Sequence, residues 1–363
     1  MQKLTQTQFE KLLTDLNVPA DVDRGFLYDC YSDALYGVEG LNSTTPSLNA
    51  YQLNHIQLIL YILNEMSLYA TMYPPEVLKT DEFERQLLST AVDKYYTNEH
   101  LSWQDSRLTN RYLPEISTIT LYLNFILSML DKYPSGDPGK TLLIDVMKKG
   151  FSMARCVINL LTGGFETEAF STWRTLHENE CILIVLVSYG APVIKSYLEH
   201  MQYALAFRNI LPKEQGDALF VKIKDEMKVH GLKSKDTKRF IEYGWLYAVP
   251  GIDKIEDFKL NFRDGVERVA NLREKAKIYE MSSEIAHSSP LLIYSRKEYF
   301  YLLTILNVYE SFIRLEKIFT ALYLSNVPEA ERKRYMAMRS VYGSQIDAII
   351  NHERALLMKL KDK

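Results

Sequence analysis

Cysteine is scarce in this chain: three in 363 residues, Cys30, Cys156 and Cys181. An odd number at such wide spacing excludes a disulfide framework and offers no paired thiols for zinc. Cys156 and Cys181 fall in apolar helical patterns, so buried reduced thiols and a cytoplasmic setting are expected. Long apolar runs are missing too. The most apolar stretches, Ile116 to Leu130 and Cys181 to Val187, fall short of the roughly 20 residues a spanning helix needs. The opening MQKLTQTQFEKLL has neither the apolar core nor the cleavage site of a signal peptide. No membrane partner is therefore expected. Charge of one sign does not dominate either. A net charge of −3 argues against a general nucleic-acid binder. Glycine and proline are few, 15 and 12, which suits long helices joined by short connections. No repeat and no low-complexity segment interrupts the chain.

Several catalytic patterns are absent as well. Glu284-x-x-His287 has the spacing of a di-iron helical bundle, but that site needs a second such motif and two further Glu, and no other His here has Glu three residues before it. His177-Glu178-Asn179-Glu180-Cys181 lacks the second His of a zinc protease helix. Neither a metal nor a cofactor is expected. No Arg is followed four to six residues later by His, the pattern small helical ribonucleases use. Gly139-Lys140-Thr141 invites a phosphate-loop reading, but Pro134 stands where that loop needs Gly and a helix, not a strand, precedes it. Ser283 and His287 lie one turn apart, yet no elbow turn or oxyanion hole accompanies them.

What is present centres on Phe165 to Ser188, FETEAFSTWRTLHENECILIVLVS. Phe165, Ala169, Phe170, Trp173, Leu176 and Ile182 to Val187 recur at helical spacing without internal Gly or Pro. Gly163-Gly164 breaks the helix before it, and Gly190-Ala191-Pro192 stops this one. Arg174 and Glu178, four apart, meet on one face. A helix apolar all round at its far end is buried, and charges beside a buried segment need partners. A second stretch supplies them. In Lys275 to Ser289, KAKIYEMSSEIAHSS, Tyr279, Ser283 and His287 fall at i, i+4 and i+8 and line one stripe of a helix.

The pairing of RTLHE (Arg174 to Glu178) with Y-x-x-x-S-x-x-x-H-S (Tyr279 to Ser288) resembles a mostly bacterial domain-of-unknown-function family, number 5677, over roughly residues 140 to 320. Its R-x-x-x-E helix is entered from a Gly and an acidic step, here Gly164 and Glu168, and a Tyr follows on the next helix, here Tyr197 or Tyr203. The family brings no established activity. The resemblance therefore implies where a polar cluster lies, and no reaction. His177 stands where the family pattern is usually apolar.

These readings combine into an all-α expectation: a multi-helix bundle with additional N-terminal and C-terminal helices packed on it. The boundaries are residues 1–135 for an N-terminal helical region, 138–325 for the family-like core and 326–363 for a C-terminal helical pair. A loop is expected from Gly37 to Pro46, and helix through 255–288. Lys222 to Arg239 reads as a solvated helical hairpin around Gly231. The 25 Tyr imply a core of amphipathic side chains. Arg174, Glu178, Tyr279, Ser283 and His287 are the candidate site. As function, the sequence favours a small-ligand-sensing or structural and interaction protein, with a small-molecule ligand and a second copy of the chain as candidate partners. The alternative is a metal-independent phosphodiesterase or ribonuclease-like enzyme of a phage-defence or toxin system. There Arg174 would set a cation beside His287 as general base.

Overall fold

The computed structural model describes residues 3–44, 54–74, 76–77, 80–105, 113–130, 137–287, 290, 296–325 and 327–361. Among them there is no strand. The chain forms α1 (Gln6–Asp15), α2 (Arg24–Thr44), α3 (His55–Met72), α4 (Asp81–Asp105), α5 (Leu113–Leu130), α6 (Pro138–Thr162), α7 (Glu166–Tyr189), α8 (Ala191–Phe207), α9 (Lys213–Val229), α10 (Thr237–Tyr243), α11 (Ala276–Ala286), α12 (Lys297–Leu324) and α13 (Glu329–Lys361). The all-α expectation holds. No helix among the described residues is long and apolar enough to cross a membrane.

The helix α7 is the centre of the family-like region. It packs against α6, α12, α11 and α8. Gly164 at φ 77° and Gly190 at φ 68° supply the left-handed backbone at its two ends. At Gly150 of α6 an added Cβ would lie 2.7 Å from Asn179 Oδ1 and 3.0 Å from a Leu315 methyl. Only glycine lets α6, α7 and α12 approach this closely. The basic stretch 222–239 is a hairpin turning at Gly231 (φ 66°), with Lys222, Lys228 and Lys238 each in an ion pair with a nearby carboxylate. That is the solvated hairpin expected.

One apolar cluster runs from Phe9 to Ile350. It includes α13, which lies on α12, α5 and α3. Tyr342 of α13 stacks on Tyr122 of α5 at 4.5 Å and donates to Asn64 Oδ1 of α3 at 3.2 Å. Tyr342 and Tyr122 thus behave as expected, with rings in the core and hydroxyls paired. A smaller cluster, Tyr203, Ile223, Met227, Phe240 and Ile241, closes the α8–α10 hairpin.

Four expectations are corrected. Cys156 is exposed on the outer face of α6, while Cys30 and Cys181 are buried. The C-terminal pair is one continuous helix, α13, because an interior glycine such as Gly343 costs only about 1 kcal/mol against alanine while Tyr342 and Ile346 beside it are buried. The segment Gly37 to Thr44 continues α2 for the same reason: Val38 is fully buried and Tyr96 Oη donates to its carbonyl at 2.8 Å, so packing outweighs Gly37 and Gly40. Residues 255–288 are not continuously helical. A π turn at Phe262–Glu267 and a short 3-10 turn at Arg273–Lys275 precede α11. The expected break before α6 falls partly outside the described residues, from Tyr133 to Gly136.

Candidate functional site

Helices α7 and α11 bring together most of the residues singled out from sequence. Arg174 Nε donates to Glu178 Oε1 at 3.1 Å and to Tyr279 Oη at 3.0 Å, and Nη1 donates to Ser283 Oγ at 3.1 Å. Tyr279 Oη donates to Glu178 Oε1 at 2.5 Å. The guanidinium also lies 5.0 Å over the Tyr279 ring. Burial, and then the hydrogen bond to Glu178, push the Tyr279 phenol well above its ordinary value, so it stays protonated and donates. The cluster is half-open: the Arg174 and Glu178 side chains are 30% and 33% exposed. His287 follows Ser283 by one turn at the end of α11 and is exposed. It makes no side-chain hydrogen bond to the cluster among the described residues. Ser288 lies outside them. Tyr197 packs edge-on against Trp245 and Tyr203 donates to Glu226 at 2.8 Å, so neither joins the site.

A second polar group lies on the inner face of the same helix. His177 is fully buried, and its Nε2 lies 2.8 Å from Glu267 Oε1. Its Nδ1 is 3.8 Å from Glu180 Oε2, an electrostatic contact too long for a hydrogen bond. Glu180, fully buried, accepts from Arg314 Nε of α12. One turn earlier on α12, Glu310 accepts from Lys275 and from Arg354 of α13, the latter at 2.9 Å. Burial alone lowers His177, but the two carboxylates outweigh it and leave the imidazole above its ordinary value. Burial raises Glu180, but His177 and Arg314 outweigh it and hold the carboxyl below the usual range. When His177 is protonated, it and Arg314 balance Glu180 and Glu267, which is how a buried charge group avoids a net penalty.

Local geometry explains how Glu267 reaches inward. Asn261 Oδ1 accepts from the Asp264 amide at 2.7 Å and starts the π turn. At Gly265 an added Cβ would sit 2.6 Å from the Lys259 carbonyl. Such π turns frequently mark functional segments. Here the turn aims Glu267 at His177. Tyr279 is the wall between the two groups. Its hydroxyl belongs to the outer cluster, while its ring lies 4.7 Å from Phe262 and 6.1 Å from His177. Trp173 stacks on the other side of His177 at 5.2 Å.

Residues 140–298 match the family of unknown function DUF5677. The match covers under half of the chain. No curated protein and no solved structure matches. The DUF5677 segment contains Arg174, Glu178, Tyr279, Ser283 and His287 of the outer cluster, and His177, Glu180 and Glu267 of the inner one. Arg314, Glu310 and Arg354 lie beyond it. The inner group gave little signal in the sequence. His177 and Glu180 are one turn apart on the apolar face of α7, and that was the only visible cue to Glu267 and Arg314. Among the described residues no group of three or more His, Cys, Asp or Glu has the geometry to hold a metal ion.

Proposed function

We propose that this protein binds a small anionic ligand at the Arg174 cluster, as a sensing protein rather than an enzyme. One observation carries the reading. The Arg174 guanidinium is held on Glu178, Tyr279 and Ser283 while its side chain remains 30% exposed. A planar, pre-oriented guanidinium with an open edge is suited to a carboxylate or phosphate. Catalysis is less well supported. Ser283 Oγ accepts from Arg174 and makes no hydrogen bond to a carboxylate or imidazole among the described residues, so nothing there takes its proton.

The test is a thermal-shift and calorimetric screen of the full chain against phosphate, sulfate, dicarboxylates and mononucleotides. At least one anion class should raise the melting temperature. Arg174→Met should abolish that shift, and Ser283→Ala should weaken it without altering the melting temperature of the free protein. A screen without any shift, or shifts that survive Arg174→Met, would sink the reading. The phosphodiesterase alternative needs the Arg174 cation near His287 as general base, and His287 is exposed one turn from the Ser283 that Arg174 contacts. Hydrolysis of a nitrophenyl phosphodiester that disappears in His287→Ala would replace binding with catalysis.

A further inference from the structure

Separate from the Arg174 cluster, a cleft of about 520 Å³ opens between α12 and α13, within the size range of small-molecule sites. Its floor is built around a buried carboxylate. Glu316, 5% exposed, accepts from Tyr122 at 2.8 Å, Thr320 at 2.9 Å and Tyr335 at 3.0 Å. Arg339 grips it with both Nε and Nη2, at 2.6 and 3.2 Å. Glu316 is thereby held below the usual carboxylate range, burial being outweighed by Arg339 and Tyr122. The result is a fixed guanidinium whose Nη1 has no described partner and whose side chain is 33% exposed toward the cleft it lines.

Two further lining groups are unmatched. Lys317 and Asp347 are exposed, and neither makes an ion pair or hydrogen bond among the described residues. They lie at opposite ends. The contacts Thr320–Tyr335 and Glu316–Arg339 show that α12 and α13 run antiparallel, which puts Lys317 beside Arg339. Asp347 is eight residues further along α13, about 12 Å at the helical rise. Between the ends the lining is mixed: Phe312, Ile313 and the bare backbone of Gly343, with the hydroxyls of Ser340 and Ser344.

Gly343 is the independent clue. It sits in the middle of a long helix, where glycine costs stability. Its backbone does not need glycine, since its φ is not positive, and an added Cβ would meet nothing within 4 Å. Helical Gly37, Gly40 and Gly216 have the same open space, but Gly343 is the one that lines this cleft and leaves the helix backbone bare there.

We propose that this cleft binds a linear zwitterion with end charges about 10–12 Å apart, its anion on Arg339 and Lys317 and its amine on Asp347. An extended three-residue peptide with free ends and an ω-amino fatty acid share that chemistry.

The experiment is calorimetry on the full chain with a free-ended leucyl tripeptide, its acetylated and amidated forms, ω-amino-octanoate, octanoate and octylamine. Double-ended probes should bind at least tenfold more tightly than those with one charge removed. Lys317→Ala should weaken octanoate and the zwitterions but not octylamine. Asp347→Asn should weaken octylamine and the zwitterions but not octanoate. Both residues are exposed, so the fold is not at risk. Gly343→Ala should raise the melting temperature yet weaken binding at least tenfold. Preference for the free-ended peptide or for the amino-octanoate identifies which source the site takes. Absence of millimolar binding by every probe overturns the proposal, as does binding indifferent to Lys317→Ala and Asp347→Asn.

Discussion

Two charge groups lie within two turns of α7 and differ in almost every physical respect. Arg174 and Glu178 form an i, i+4 pair about a third exposed to solvent. His177 and Glu180, on the adjoining buried face, are completely enclosed and draw partners from the π turn and from α12. The outer pair gains little Coulomb energy in water and stays available. The inner group sits in low dielectric, where the attraction is strong but each charge depends on its partners. Proximity to a buried helix alone does not determine what a charge does. The side it faces decides whether it serves recognition or holds elements together.

The comparison breaks most sharply at Arg314. Arg314→Met leaves Glu180 buried without the guanidinium that hydrogen-bonds it and should cost roughly 3–5 kcal/mol, read from the urea midpoint. A loss under about 1 kcal/mol would mean that the inner group is not a buried ionic network in solution.

The next effect is on pH. His177 has a raised folded value, so its contribution is complete below its ordinary 6.5 and is lost as pH rises through that raised value. Glu180 has a lowered folded value, so its contribution is complete above its ordinary 4.5 and is lost as pH falls through the lowered one. The inner group should therefore stabilise most between about 4.5 and 6.5, declining on either side. Melting curves of His177→Gln should lack the alkaline decline. An unchanged alkaline slope would show that the imidazole is neutral in the fold.

The smallest effect belongs to the outer pair. Arg174→Met should cost no more than about 1 kcal/mol because water screens the charge it leaves behind. A double-mutant cycle with Glu178→Gln should return a coupling of about 0.2–1 kcal/mol. A coupling several times larger would place this pair in the same class as the inner one.

The outer cluster was legible because it is local. Helical spacing puts Arg174 beside Glu178 and Tyr279 beside Ser283, and two polar stripes on apolar helices need each other. His287 obeys the same spacing but sits past the last turn of α11, where the stripe leaves the interface. The inner group was not legible because its partners come from afar. Arg314 is 134 residues from Glu180, and Glu267 depends on a π turn that helical periodicity does not reveal. The same limit hid the Glu316–Arg339 pair behind α13, read as two helices because Gly343 looked like a stop. Gly37 and Gly40 misled in the same way, since a glycine weakens a helix by less than burial of its neighbours strengthens it.

The position of α13 has a consequence for how the chain is made. Tyr342 closes a core whose other walls include Tyr122 and Asn64, and 278 residues separate Asn64 from Tyr342. At bacterial and eukaryotic synthesis rates the ribosome takes on the order of fifteen to fifty seconds to cover that distance. For that interval the nascent N-terminal helices lack the cover that Tyr342 and the rest of α13 supply. The vulnerable species is thus the growing polypeptide, not the finished one. Ribosome-stalled chains halted before residue 329 should be digested by protease throughout α2 to α5, and chains released after α13 should resist it.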